Sequence, residues 1–133
     1  MHAEGTFEVK TAPLPADEAI AATSIGRYSL DKLYRGDLEA ASAGEMLGAG
    51  NPTAGTAGYV AIEEVNGTLH GKNGSFALQH FGTMDHGKFG LKVSVVPGSA
   101  TGELAGISGE LTIIIDAGMH SYKFDYTLPD APQ

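Results

Sequence analysis

No cysteine and no tryptophan occur in the 133 residues. Without cysteine there is no disulfide framework, no thiolate nucleophile and no zinc–thiolate site. Basic residues are scarce: eight Lys and Arg stand against sixteen Asp and Glu, a formal charge of −8. A nucleic-acid binder concentrates cationic side chains on one face, and this chain has too few to do so. The same acidity disfavours an anionic membrane surface. No apolar run approaches the roughly 18 residues of a transmembrane helix. The stretch Met1-His-Ala-Glu-Gly-Thr-Phe7 has neither the basic region nor the apolar core of a signal peptide. Cytoplasm is therefore the expected location, though a secreted chain trimmed of its signal would read the same.

What the chain has instead is glycine. Its nineteen glycines are spread between apolar alternations and form no low-complexity run, which marks turns and bends rather than disorder. Hydrophobic residues make up 42% of the chain, enough for one core in a single domain spanning 1–133. Part of the glycine is periodic. Gly67-Thr-Leu-His-Gly-Lys-Asn-Gly-Ser-Phe-Ala-Leu78 returns as Gly102-Glu-Leu-Ala-Gly-Ile-Ser-Gly-Glu-Leu-Thr-Ile113. Both copies read G-x-L-x-G-x-x-G-x-[FL]-x-[LI]. Glycine at fixed offsets serves either a positive φ or the close approach of a neighbouring strand. With apolar alternation around it, the motif predicts a strand, a tight turn and a second strand. It is no phosphate cradle, because no helix follows and no lysine stands at the P-loop position.

Phe7 and Val9 share one phase of a first strand over Glu4 to Thr11, stopped by Pro13 and Pro15. Ala16 to Ala22 reads either as a helical turn with Asp17 and Glu18 at its start or as a loop. A second strand, Ile25 to Tyr34, holds Tyr28, Leu30, Lys32 and Tyr34 in one phase and turns at Arg35-Gly-Asp37. The third, Leu38 to Leu47, is built of small residues from Ala40 to Gly44. That suits a strand crossed closely by something, or one lining an open volume. Residues 48–57 are expected as the one long flexible connection, of the kind that rims a site. Gly58 to Val65 makes the fourth strand, with Asn66-Gly67 as its hairpin signal. Ser75 to Phe81 follows, then Lys88 to Val96 with Phe89, Leu91, Val93 and Val95 inward. Glu110 to Ala117 turns at Gly118 into a last strand, Met119 to Leu128, with a short frayed tail over 129–133. The expected fold class is all-β: about eight antiparallel strands in a barrel, a number that leaves room for side chains or one small ligand.

The glycine motif, continued as Gly74-Ser-Phe-x-Leu-Gln-His80, resembles the glycine-rich strand pair of allene oxide cyclases. Nearly the whole chain resembles a bacterial family of small uncharacterised proteins assigned to the same barrel. That likeness is carried by Leu30-Asp-Lys32, Gly36-Asp-Leu-Glu-Ala40, Gly44-Glu-Met-Leu47 and Ala57-Gly-Tyr-Val-Ala-Ile-Glu63. It continues through Val95-Val-Pro-x-Ser99 and His120-Ser-Tyr-x-Phe-x-Tyr-x-Leu128. The first resemblance implies an eight-stranded barrel with an apolar cavity, and a homo-oligomer. The second implies a fold with no agreed activity. Cyclase chemistry does not transfer on glycines alone.

Several residues could carry chemistry. His80 falls in phase with Phe76 and Leu78. It is either a base or ligand donor beside a cavity, or a core histidine satisfied by a carbonyl or carboxylate. His120 and Tyr122 share the inward phase with Phe124 and Tyr126. Their polar tips suit an amphipathic ligand, or else the hydroxyls reach the barrel mouth. Glu45 and Glu63 sit in strands poor in charge. If Tyr59, Ala61 and Glu63 face inward, Glu63 is a buried carboxylate and a candidate base. If Val60 and Ile62 do, Glu64 takes its place, because a one-residue slip inverts a strand. Ser75 and Gln79 fall on the outer phase, available to an oligomer interface, and His70 and His86 are expected to be solvated in turns. His80, His120 and a glutamate would make a metal set, but no H-x-H or H-x-x-x-H spacing supports it, so neither metal nor cofactor is expected. No nucleophile elbow is present.

The sequence thus supports a barrel that binds a small, mainly apolar molecule. His80, His120, Tyr122, Tyr126 and one of Glu45 or Glu63 would supply its polar contacts. The alternative is a cofactor-free isomerase or cyclase using an inward His and Glu as acid and base. A third reading is an oligomer whose barrel is filled.

Overall fold

The structure, a computed structural model, describes residues 1–129. Nine strands lie among them: β1 (His2–Pro13), β2 (Gly26–Gly36), β3 (Leu38–Asn51), β4 (Thr56–Leu69), β5 (Lys72–Asp85), β6 (Lys88–Val95), β7 (Thr101–Gly102), β8 (Ser108–Asp116) and β9 (Met119–Thr127). The pairing order β4-β3-β2-β1-β9-β8-β6-β5, with β5 returning to β4, closes an eight-stranded antiparallel barrel. The two-residue β7 pairs onto β5 beside it. A single helical turn, α1 (Glu18–Ala21), links β1 to β2, and the carboxylate of its N-cap Asp17 accepts from the Ile20 N–H. Closure removes the long ladder edges that another chain could extend. The all-β barrel expected from the alternations is the observed fold. Beyond Pro129, the expected tail lies outside the described residues. Among the described residues no helix is long and apolar enough to cross a membrane.

Two turns fall elsewhere than the sequence suggested. β4 runs through Asn66-Gly67 to Leu69, and the hairpin turns at His70-Gly71, with φ of 47° and 79°. Gly67 serves the other use of glycine: a Cβ there would lie 2.2 Å from the Glu39 carbonyl oxygen on β3. Residues 48–57 are likewise mostly strand. β3 reaches Asn51 and β4 begins at Thr56, leaving one 3-10 turn, Pro52–Ala54, closed by Gly55 at φ 85°. The glycines and alanines there pair across the ladder, Gly48 with Tyr59 and Gly50 with Ala57, and so lengthen the hairpin rather than end it.

The two copies of the glycine motif meet in space, Gly74 opposite Gly102 and Ser75 opposite Thr101. Their leucines, Leu69 and Leu104, are both buried, as are Phe76 and Leu111. The second copy shortens its leading strand to β7 and turns through Gly102 and Gly106, at φ 63° and 83°. Ser75 is therefore not on an open outer face. The β7 segment covers it, with its Oγ 2.6 Å from Thr101 Oγ1.

The inward phases pack one half of the barrel. Leu38, Leu69, Phe76, Leu104, Ile107 and Phe124 belong to one buried cluster. Phe76 stacks on Phe124 with ring centroids 5.7 Å apart. The other half is not filled. Phe89 and Leu91 keep the inward phase expected of them, yet they are 80% and 42% exposed because they line an open mouth. On the outer wall, Leu47, Val60 and Phe81 stand side by side across β3, β4 and β5, and all three are exposed.

Candidate functional site

Alternation alone left Glu63 and Glu64 interchangeable. In the barrel Tyr59, Ala61, Glu63 and Val65 turn inward, while Val60, Ile62 and Glu64 face out. Glu63 is fully buried. A buried carboxylate is tolerated when its lone pairs are taken by donors, and here they are. Oε1 accepts from Tyr34 Oη at 2.5 Å. Oε2 accepts from Lys32 Nζ at 2.8 Å and from His80 Nε2 at 2.6 Å. Burial pushes the Glu63 carboxyl up, but the His80 hydrogen bond, the Lys32 charge and the bonds from Lys32 and Tyr34 outweigh it. They hold the pKa at about 2, against an ordinary 4.5. Glu63 is thus ionised at neutral pH and can only accept. Burial first, and then the charge of Glu63, raises the Tyr34 phenol well above its ordinary value, which keeps it a donor.

The small third strand explains how these side chains meet. β3 lies between β2, which carries Lys32 and Tyr34, and β4, which carries Glu63. Ser42 of β3 pairs with Lys32 and Gly44 pairs with Glu63. A Cβ on Gly44 would stand 2.0 Å from the Ile62 carbonyl oxygen, so only glycine lets the two strands lie this close. Small inward groups on β3 leave the path across it open to the long side chains of β2. Ser42 is near enough to Tyr34 to ease the rise of its phenol, but its buried Oγ reaches no partner at hydrogen-bond geometry among the described residues.

With its Nε2–H given to Glu63, His80 presents Nδ1 to Tyr59 Oη at 3.3 Å. In a neutral imidazole that nitrogen accepts and Tyr59 donates; in the imidazolium the two roles exchange. The Tyr59 ring crosses Gly82, where a Cβ would meet it at 2.4 Å. Burial, and then the charge of Glu63, raises the Tyr59 phenol, so it keeps its proton. A hydrogen-bonded chain Glu63–His80–Tyr59 therefore runs from the core outward.

A cavity of about 720 Å³ occupies the unfilled half of the barrel. Phe7, Val9, Leu30, Met46, Ile113 and Phe89 give it mainly apolar walls. Lys32, Tyr59, His80 and His120 bring polar groups to it, and Thr23, Ser24, Tyr28 and Thr83 add hydroxyls. Lys32 Nζ stands 4.9 Å from the centroid of the Phe7 ring and 5.6 Å from that of Tyr34. The His120 ring lies 5.3 Å from the same Phe7 ring. Glu63 is not on the wall; it acts from behind His80.

Of the six residues singled out in the sequence, the structure brings three together: His80 and His120 on the cavity wall and Glu63 beneath it. Tyr122 and Tyr126 point inward as expected but do not line the cavity. Tyr122 Oη accepts from the Leu38 N–H at 2.9 Å and donates to the Arg35 carbonyl at 3.0 Å, tying β9 to the β2–β3 turn. Tyr126 Oη hydrogen-bonds His70 Nδ1, so His70 is a packing partner rather than a merely solvated turn residue. Glu45 lies outside. The inward phase of β3 falls on Ser42, Gly44 and Met46, and Glu45 pairs with Arg27 at 2.7 Å on the surface. Lys32, Tyr34 and Tyr59 went unrecognised as site residues. The signal for two of them was a lysine and a tyrosine sharing an apolar phase with Leu30, the lysine opposite in charge to Glu63. Among the described residues no group of three or more His, Cys, Asp or Glu could hold a metal ion.

The profile of a family described as a protein of unknown function, DUF3224, matches residues 3–126. A crystal structure of a protein of unknown function from that family, from Shewanella oneidensis MR-1, is 46% identical to the chain. The match covers 98% of each chain at a TM-score of 0.89. No curated protein matches the chain. Neither match names an allene oxide cyclase.

Proposed function

The chain belongs to the DUF3224 family, whose description assigns no function, and we propose that its barrel binds a small, mainly apolar molecule. The observation that carries this reading is the half-filled interior. One end is packed, the other holds about 720 Å³ behind mainly apolar walls, and a buried polar belt separates them. An apolar body placed there leaves water at about 25 cal/mol for each Å² buried, while a few fixed polar groups orient it. A barrel with a filled interior would not leave Phe89 and Leu91 exposed at an open mouth. Native mass spectrometry of protein purified from its own host, beside a denatured sample, tests the reading. An extra mass lost on denaturation is the expected result. A bare chain mass, together with no saturable uptake of an apolar fluorescent probe, refutes it.

The Glu63–His80 pair favours a second reading, a cofactor-free isomerase or cyclase. An ionised carboxylate holding Nε2–H leaves Nδ1 as the basic nitrogen, and it stabilises the imidazolium formed when Nδ1 takes a proton. Tyr59, now bonded to Nδ1, is placed to serve as the acid. Deuterium incorporation from heavy water into the co-purified molecule, lost in His80→Asn, is the expected result. No incorporation with the native protein rules this reading out.

A further inference from the structure

We infer that the bound molecule carries a neutral acceptor of the carbonyl class (ketone, aldehyde, ester or amide), held by the Lys32 ammonium; the inference rests on the binding reading above. The Lys32 side chain is 3% exposed. Its ammonium has three N–H donors. One goes to Glu63 Oε2 at 2.8 Å. Among the described residues no other acceptor takes the remaining two, and the nearest rings, Phe7 and Tyr34, offer only their faces. Buried donors on a charged group are costly to leave unmet. Lys32 is also on the wall of the cavity, so a ligand acceptor can reach it.

Charge then selects the class of acceptor. Lys32 and Glu63 cancel, so with an uncharged imidazole at His80 the belt is electrically balanced. A carboxylate would set a second anion beside the buried Glu63. An amine would set a second cation beside Lys32. Either leaves one buried charge without a partner. A carbonyl oxygen accepts from Lys32 and adds no charge.

Displacement of an apolar fluorescent probe at pH 8, with four medium-chain molecules of equal length, separates this inference from the reading it rests on. The four are a hydrocarbon, a methyl ketone, a carboxylate and a primary amine. The ketone is expected to displace the probe at roughly tenfold lower concentration than the hydrocarbon, since its bond is to a charged donor. It should also outcompete the carboxylate and the amine. A ketone no better than the hydrocarbon overturns the inference and leaves apolar binding standing. A carboxylate better than the ketone overturns the charge argument. Displacement by none of the four overturns both. A direct readout is the infrared carbonyl stretch of the bound ketone, expected to shift to lower frequency. The variant Lys32→Met with Glu63→Gln removes both charges together, so neither is left unpaired, and should abolish that shift. The same shift in the double variant overturns the role of Lys32.

Discussion

Replacing Glu63 with glutamine removes one charge from the middle of the barrel and little volume. The amide oxygen can still accept from Lys32 or Tyr34, but its NH₂ group turns a donor toward a partner that also donates. Lys32, 3% exposed, is left without a counter-ion. The cost follows from the carboxyl itself. Its pKa falls from 4.5 to about 2 on folding, and at about 1.4 kcal/mol per unit this is about 3 kcal/mol of stability at neutral pH. Removing one partner of a buried pair generally costs about 3–5 kcal/mol, which agrees. For a chain of this size the loss corresponds to a Tm lower by about 10 °C. The sign with pH is fixed by the depressed folded value. The contribution is complete above about pH 4.5 and is lost as pH falls through about 2. Urea unfolding of the native and Glu63→Gln proteins, from pH 7 down to about 3, should therefore give curves that differ most at neutral pH and converge in acid. The double variant with Lys32→Met should recover much of the loss, since two matched charges leave together. A Glu63→Gln protein within about 0.5 kcal/mol of the native one at pH 7, or a gap unchanged down to pH 3, would refute the buried ion pair.

Three further outcomes are expected. Tyr122→Phe should cost about 1–3 kcal/mol in urea unfolding, since it strands the Leu38 N–H and the Arg35 carbonyl; its affinity for an apolar probe should not change, and a fall in affinity would place Tyr122 in the site after all. Gly67→Ala should destabilise more than Gly71→Ala: a Cβ at Gly67 collides with β3, whereas one at Gly71 meets nothing within 4 Å and bears only the left-handed backbone, about 1–2 kcal/mol. The reverse order in thermal unfolding would contradict the register. A second copy of the chain is expected on the row Leu47, Val60 and Phe81, which is 44%, 48% and 65% exposed; native mass spectrometry should show a dimer or larger assembly that Phe81→Ser breaks, and a monomeric native protein would reject it.

The barrel was legible because period-two alternation survives in most of its strands. Val93 and Val95, Phe76 and Leu78, Tyr122 and Phe124 all turned inward as their phase required. The glycine repeat located the β4–β5 hairpin, and its Gly71 sits in the turn, but Asn66-Gly67 does not turn. Asn66-Gly67 carries strong turn chemistry, yet glycine also permits the close approach of a strand, and here the fit against Glu39 and Ala40 decided. Sequence cannot separate those two uses of one residue. The site was half legible for a related reason. His80 and Glu63 stood out as polar groups on apolar phases, although the phase of β4 was open until β3 and β5 fixed it. Lys32 was read as one more strand residue, because a lysine stem passes for surface until its partner is known. Its partner lies two strands away, across Gly44. Tyr122 and Tyr126 have the phase of site residues, but phase says which way a side chain points and not at which end of the barrel it sits.

The most direct test of the binding reading is a titration with an apolar fluorescent probe, comparing the native protein with Gly48→Phe. Gly48 lines the cavity, its φ is not left-handed, and a Cβ there meets only ordinary contacts at 3.6 and 3.8 Å. A phenyl ring at that position should fill part of the cavity and leave the barrel folded. The native protein should bind the probe saturably, and Gly48→Phe about tenfold or more weakly with an unchanged circular dichroism spectrum. Equal saturable binding by both proteins, or none by the native one, would mean that the open half of the barrel is not a binding site.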